Sequence, residues 1–290
     1  MASTAAIRAS GKSAITVEPV SGALGAAISG VDLSSVDDSI FAEIHEAFMA
    51  HQVLFFHGQS MTPEDYVAFA RRFGEPIEYP FAKGLEGYPE ITEIIKEPHQ
   101  TSNFGGMWHS DTTYLQNPPM ATMLMCVETP AAGGDTLFAS MTKAYDRLSG
   151  GMKELLAPLK AVNTSALNAA SLRGDHLKSG SMGQGAKIRE VLTAEHPVIR
   201  THPVTGQKAI YVNPSHTERF AGMTREESAG LLGFLFTHAV RPEFTCRFRW
   251  APGSVTIWDN RCTWHDAIND YDGHRRVMRR ITIAGDAPPV

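Results

Sequence analysis

The chain has 290 residues, 43% of them hydrophobic and 20% charged, with a formal net charge of -5, so it holds enough apolar material for a large core and is not a disordered chain. Its basic residues form no long run, which excludes the usual footprint of a nucleic-acid binder, and no apolar run approaches the ~18 residues that a membrane helix needs. Three cysteines, Cys126, Cys246 and Cys262, make no close pair, which excludes a disulfide framework or a cysteine zinc site and points to a reducing, cytoplasmic setting.

Residues 1–14 read as a flexible tail. They hold Arg8 and Lys12 and no acid, a trait shared with transit peptides, but chain termini are commonly untied. Residues 15–29 alternate and break at Gly22, Gly25 and Gly30, the pattern of short strands and turns. Asp37-Asp38-Ser39 caps a helix whose Ile40, Phe41, Ile44 and Phe48 recur at helical spacing before strand-like Val53-Leu54-Phe55-Phe56. Thr62, with Pro63 at the first helical position, opens a second helix to about Phe73.

Strands follow at 91–95 and 120–127, and Gly133-Gly134-Asp135 turns the chain into strand-like Thr136-Leu137-Phe138. A helix near 142–148 is expected to stop at Gly150-Gly151. The stretch from about 164 to 194 has no steady period and carries Gly174, Gly180, Gly183 and Gly185, and it reads as a lid. Strands resume at 198–200 and 209–212, and the capping box of Thr224 and Glu227 opens a helix with Leu231, Leu232, Leu235 and Phe236 on its apolar face. Further strands are expected at 246–250, 255–258 and 276–283. No repeat or linker divides residues 15–290, so the expectation is one domain, mainly β with flanking helices, closed as an antiparallel double-sheet jelly roll around a cavity.

His109 and Asp111 stand two positions apart in Trp108-His109-Ser110-Asp111. In an extended strand both side chains leave the same face, which aims an imidazole and a carboxylate into one cavity. His265, in Trp264-His265-Asp266, is the candidate third ligand, to be returned by a folded sheet. Two histidines and a carboxylate on one side of a metal leave the other side open, as ferrous iron needs when it binds both a co-substrate and dioxygen. The same set suits zinc in a hydrolase, and a jelly roll without a metal would be a non-catalytic binding module.

The last strand discriminates. Alternation puts Arg276, Met278, Arg280 and Thr282 on one face and Val277, Arg279, Ile281 and Ile283 on the other. An inward guanidinium calls for an anion, because a buried unpaired charge is costly. A small dicarboxylate held at the metal by its keto-acid end would present its far carboxylate to Arg276, a task that a zinc hydrolase does not have. His202, His216 and Trp258 read as structural.

His109-Ser110-Asp111, Gly133-Gly134-Asp135-Thr136, Trp258-Asp259-Asn260-Arg261, His265 and the stretch from His274 to Arg280 together resemble the iron(II)- and 2-oxoglutarate-dependent dioxygenases of the taurine dioxygenase family, over nearly the whole chain. The resemblance implies a double-stranded β-helix (jelly-roll) core, iron held by His109, Asp111 and His265, and 2-oxoglutarate held by Thr136 and Arg276. It also implies that Arg280 reaches the anionic group of the primary substrate and that dioxygen is consumed, with succinate and carbon dioxide as co-products. Taurine-specific members carry a histidine shortly before the Tyr-Pro pair and an asparagine before the first ligand. Here Pro76-Ile77-Glu78 precedes Tyr79-Pro80, and Gly105 stands at the second place. The expected substrate is therefore a small organic anion other than taurine, of sulfonate, alkyl sulfate or aryloxyalkanoate type, with Tyr79, Phe104 and Met107 as apolar contacts. No nucleic-acid or membrane partner is expected, and a homo-oligomer is left open.

Overall fold

The structure, a computed structural model, describes residues 14–79, 82–168, 190–285 and 287–290. The expected tail lies outside the described residues but for Ala14, and so does most of the expected lid, residues 169–189. Among the described residues the strands of the first half are β1 (Thr16–Pro19), β2 (Ala26–Ser29), β3 (Val53–Phe56), β4 (Pro76–Ile77), β5 (Gly84–Leu85), β6 (Tyr88–Lys96), β7 (Ala121–Glu128) and β8 (Thr136–Ser140). Those of the second half are β9 (Lys160–Thr164), β10 (Thr193–Pro197), β11 (Ile199–Thr201), β12 (Lys208–Ile210), β13 (Thr217–Phe220), β14 (Thr245–Phe248), β15 (Val255–Asp259), β16 (Thr263–Ala267) and β17 (Arg276–Ile283).

The major sheet has the order β1-β2-β3-β15-β7-β17-β6-β5, with β4 beside β17, and is antiparallel except where β2 meets β3. A smaller sheet, β14-β8-β16, packs against its inner face. Phe55, Leu124, Trp258 and Met278 of the major sheet meet Phe138, Cys246 and Phe248 of the smaller one in a shared core. This is the jelly roll that the strand pattern predicts.

Two helices cover the outer face of the major sheet. Asp37 caps α1 (Asp38–His51) through Ile40 N–H, and Thr62 forms a full capping box with Asp65 at the start of α2 (Pro63–Arg71). Ile44 and Phe48 of α1 and Tyr66 and Phe69 of α2 pack on Leu54, Phe56, Ile257, Ile281 and Ile283. That is why β3 and β15 are buried on both faces and β3 reads as a continuous apolar run. A third helix, α3 (Met141–Asp146), follows β8.

The glycine pair at 150–151 does not end a helix but begins one, α4 (Gly150–Leu156). Ser149 caps it through Met152 N–H, and in the first turn a serine cap outweighs the poor helix propensity of glycine. The helix Arg225–Ala239 opens on the expected capping box, with Leu232 and Leu235 buried against a second core that includes Trp264. Cys126, Cys246 and Cys262 are all buried and unpaired. Among the described residues no helix is long and apolar enough to cross a membrane.

A candidate metal centre between the two sheets

The expected strand at His109 reduces to a single bridged residue. His109 N–H donates to the His265 carbonyl at 3.0 Å, and His265 N–H donates back at 2.8 Å. The chain then leaves the sheet: Ser110 Oγ donates to the Asn260 carbonyl at 2.7 Å, and Thr112 takes a positive φ of 43°. Asp111 therefore reaches the two imidazoles from a turn. Its sequence spacing from His109 has the expected outcome without the expected strand.

His265 lies on β16, whose β8 partner at that position is Phe138. Asp111 Oδ1 stands 3.7 Å from His109 Nε2 and 3.9 Å from His265 Nε2, and one ligand atom from each residue lies within 4.8 Å of the others. All three residues are buried. Burial, with His109 and Arg280 nearby, holds the His265 imidazolium well below its ordinary stability against the opposing pull of Asp111, so the ring is a neutral donor. Burial alone would raise the Asp111 carboxyl, but the Arg280 guanidinium and the Thr122 hydroxyl oppose it and keep Asp111 ionised. Two neutral imidazole nitrogens and one carboxylate oxygen are the donor set that a divalent metal of the iron type takes, and the residues fit it.

Each ligand is oriented by a neighbour. His109 Nδ1 lies 2.6 Å from the Met107 carbonyl, which fixes Nε2 as the free donor. Thr122 Oγ1 donates to Asp111 Oδ2 at 2.6 Å, Asn260 Nδ2 donates to Thr122 Oγ1 at 2.9 Å, and Trp258 Nε1 donates to Asn260 Oδ1 at 3.0 Å. Trp258 also packs on the His265 ring, with centroids 4.6 Å apart. Sequence reasoning missed Thr122 and Asn260 and read Trp258 as scaffold. The available signal was Trp258-Asp259-Asn260-Arg261, a polar cluster closing an otherwise apolar strand.

A narrow cavity lies beside these residues. Its walls include Leu124 and Ile94 from the major sheet, Thr136 and His265 from the smaller one, and Arg276 and Arg280 from β17. Arg276 is 6% exposed, and its Nε and Nη2 have no hydrogen-bond partner. Its close neighbours offer little negative charge, since burial pushes the Cys126 thiol up to about 11 against the pull of Arg276 and also raises the Tyr271 phenol. Asp135 is the carboxylate that pulls on Arg276, but it is shared: its Oδ2 accepts from Arg247 Nε at 2.6 Å, and its Oδ1 has no hydrogen-bond partner. A carboxylate entering the cavity would satisfy the orphaned guanidinium donors.

Gly133 and Gly134 both adopt positive φ, 84° and 72°, and turn the chain so that Thr136 faces Arg276 across the cavity. A Cβ on Gly134 would stand 3.3 Å from Arg276 Cδ and 3.3 Å from Tyr271 Cδ1, so the missing side chain is what lets the guanidinium lie there. Thr136 Oγ1 accepts from Trp250 Nε1 at 2.9 Å, which leaves its own hydroxyl hydrogen free to rotate into the cavity.

Arg280 Nη2 lies 2.9 Å from Asp111 Oδ1, a contact that the sequence did not suggest. The approach is out of line for a hydrogen bond, so Nε and Nη2 both keep unspent donors. Its guanidinium lies over the Tyr79 ring at 4.9 Å, and Tyr79 in turn meets Phe104 edge-on at 6.5 Å. Phe104 lines the cavity. Met107 does not: its side chain is 37% exposed, and it is the backbone carbonyl that serves the site.

His202, Asp259 and Cys262 form a second buried group with metal-ligand chemistry. Its polar atoms are already paired, since Arg261 donates twice to Asp259 (2.8 and 2.7 Å) and His202 Nε2 lies 2.9 Å from Asp259 Oδ2. His202 Nδ1 accepts from the N–H groups of Val204 and Thr205, which leaves the proton on Nε2 and no lone pair for a metal. This cluster holds the turn between β15 and β16.

The sequence model of the family described as "Taurine catabolism dioxygenase TauD, TfdA family" matches residues 16–282. The alpha-ketoglutarate-dependent sulfate ester dioxygenase of Pseudomonas putida is 35% identical, over 94% of this chain and 91% of its own. An alkylsulfatase of Acinetobacter baylyi is 34% identical, over 94% and 86%. The crystal structure of a taurine dioxygenase from Burkholderia xenovorans superposes with a TM-score of 0.79 at 37% identity, over 95% of this chain and 92% of that one.

Proposed function

The chain belongs to the taurine catabolism dioxygenase TauD, TfdA family, and on that premise we propose that it oxidises a small organic sulfur oxyanion, a sulfate ester or a sulfonate, in the cavity between its major sheet and the β14-β8-β16 sheet. It is an iron(II)- and 2-oxoglutarate-dependent oxygenase, as its relatives at about 35% identity over most of the chain are alpha-ketoglutarate-dependent dioxygenases. When bound together, iron(II), 2-oxoglutarate and dioxygen supply the oxidant that puts hydroxyl on an unactivated carbon, with succinate and carbon dioxide as co-products.

The protein's part is binding and orientation. In this reading His109, Asp111 and His265 hold the metal, while Thr136 and Arg276 hold 2-oxoglutarate. The observation that carries the reading is that buried, unsatisfied donors of Arg276 and Arg280 line the same cavity as the His109 and His265 imidazoles, with Asp111 against both rings. One guanidinium serves the co-substrate. The other, Arg280, anchors the substrate anion, with Tyr79 under its plane and Phe104 as the apolar wall. Where the hydroxylated carbon bears oxygen or sulfur, the product breaks down to a carbonyl compound and releases sulfate or sulfite. A cytoplasmic location is part of the reading, supported by the three unpaired cysteines.

Oxygen uptake and succinate formation with ferrous iron, measured across alkyl sulfates, sulfonates, aryloxyalkanoates and neutral alcohols, test this. Turnover of the sulfur oxyanions well above the other classes is expected. Equal turnover of the neutral alcohols would remove the anion anchor, and better turnover of aryloxyalkanoates would move the substrate class to carboxylates.

A further inference from the structure

We propose that Lys96 is a second cation for the far carboxylate of 2-oxoglutarate, and that the Lys96 and Arg276 pair makes this enzyme select a doubly charged 2-oxo acid. The inference rests on the 2-oxoglutarate site proposed above and adds a residue to it. It begins with register: Lys96 on β6 is the direct antiparallel partner of Arg276 on β17, with Ile94 opposite Met278 at the next inward position. Directly paired residues project to the same face with Cβ atoms roughly 5 Å apart, and like charges set opposite one another there repel. Such a pair is stable when an anion lies between or beside the two heads.

Lys96 is 4% exposed, and its Nζ has no hydrogen-bond partner. Its ammonium lies over the Tyr271 ring at 4.1 Å, the ring that Arg276 also approaches, at 6.0 Å. The ion-paired oxygen, Asp272 Oδ1, is 3.6 Å away on a side chain that is 82% exposed, so water screens it. Other acids nearby are shared: Glu97 and Glu128 both hold Arg275, and Asp135, which also pulls on Arg276, holds Arg247 through Oδ2 while its Oδ1 has no hydrogen-bond partner.

A small recess lined by Lys96, Arg276, Tyr271 and Asn103 joins the main cavity, sharing Ile94, Phe104 and Arg276 with it. Its wall carries two buried cations and no carboxylate. A carboxylate held by the Arg276 fork there completes the hydrogen bonding of both heads and removes their mutual repulsion.

Isothermal titration of the Mn(II)-loaded protein with 2-oxoglutarate and with 2-oxopentanoate, which keeps the keto-acid end and lacks the far carboxylate, reads the effect without turnover. Lys96→Met should weaken 2-oxoglutarate about tenfold or more and change 2-oxopentanoate by less than about twofold, as loss of one charge-assisted contact requires. Lys96→Arg should restore the preference, and Lys96→Gln replaces Lys96→Met if thermal melting shows the latter to be unfolded. Equal weakening of both acids would make Lys96 a structural residue, and no weakening of either would remove it from the site; both results overturn the proposal. Arg276→Met separates the two levels of the argument. If it leaves 2-oxoglutarate affinity unchanged, the co-substrate site itself is misassigned and the Lys96 proposal falls with it, whereas a loss with Arg276→Met and none with Lys96→Met overturns Lys96 alone.

Discussion

His109 and His265, 156 positions apart in the chain, exchange both of their backbone hydrogen bonds, at 3.0 and 2.8 Å, and their rings lie 4.1 Å apart. The bridge fixes where both Cβ atoms start, so the two imidazoles are positioned by the main chain before any ion arrives. His265→Ala removes one donor and leaves the bridge. We expect metal occupancy, measured by elemental analysis after dialysis against iron(II) or manganese(II), to fall severely and turnover to be lost. Full occupancy in this variant would mean that the metal is held elsewhere.

Thr122 both donates to Asp111 Oδ2 and accepts from Asn260 Nδ2, so it sets the plane of the carboxylate. Thr122→Val keeps the shape and deletes both bonds. Metal affinity should weaken by roughly 10–100-fold, the usual effect of losing an outer partner of a ligand, while Thr122→Ser should stay near the parent. Manganese titration followed by electron paramagnetic resonance reads this without substrate.

Gly134→Ala adds a methyl group against Arg276 and Tyr271 at a residue with φ of 72°. The left-handed backbone alone costs about 1–2 kcal/mol for a residue with a Cβ, and here that strain presses on the guanidinium that the co-substrate needs. The apparent affinity for 2-oxoglutarate should fall by roughly tenfold, a difference of about 1.4 kcal/mol. An unchanged co-substrate titration would show that Arg276 is not positioned by this turn.

Arg280→Lys keeps the charge but cannot reproduce the planar fork, so it should lower the rate with anionic substrates. Arg280→Ala should narrow the difference in succinate formation between an alkyl sulfate and the corresponding neutral alcohol. If that ratio is the same in Arg280→Ala and the parent, Arg280 serves Asp111 rather than the substrate.

Acid stability should depend on Asp259. Burial alone would raise its carboxyl, but the Arg261 hydrogen bonds, the His202 hydrogen bond and the Arg261 charge outweigh burial and hold it well below the usual carboxylate range. A depressed folded-state value contributes stability that is present above the unfolded value near ~3.9 and is lost as pH falls below it toward the folded value. Asp259→Asn should destabilise the protein at neutral pH by about 3–5 kcal/mol, because Arg261 stays buried without its partner, and should flatten the acid limb of a melting-temperature profile. A parallel acid limb in the variant would assign acid unfolding to other groups.

Local chemistry made much of this protein legible in its sequence. The caps of α1 and α2 and the capping box at Thr224 rest on hydroxyls and carboxylates within three residues of the groups they bind, so short-range reading finds them. Strand alternation is equally local, and it is why the sequence shows β17 with its observed limits and with Arg276 and Arg280 on the inward face. The Gly150-Gly151 error has the same origin, since glycine carries no sign for stop or start and Ser149 decides it.

What alternation cannot supply is register, because which residue stands opposite another is set by packing between segments far apart in the chain. The tertiary structure alone decided that His109 bridges His265, that Arg280 meets Asp111, that Thr122 from β7 steadies the same carboxylate, and that Lys96 faces Arg276. It also decided that Phe104 lines the cavity while Met107 gives only its carbonyl. Two residues three apart in an irregular loop point where the loop's long-range contacts turn them, and no period in the sequence records that turn.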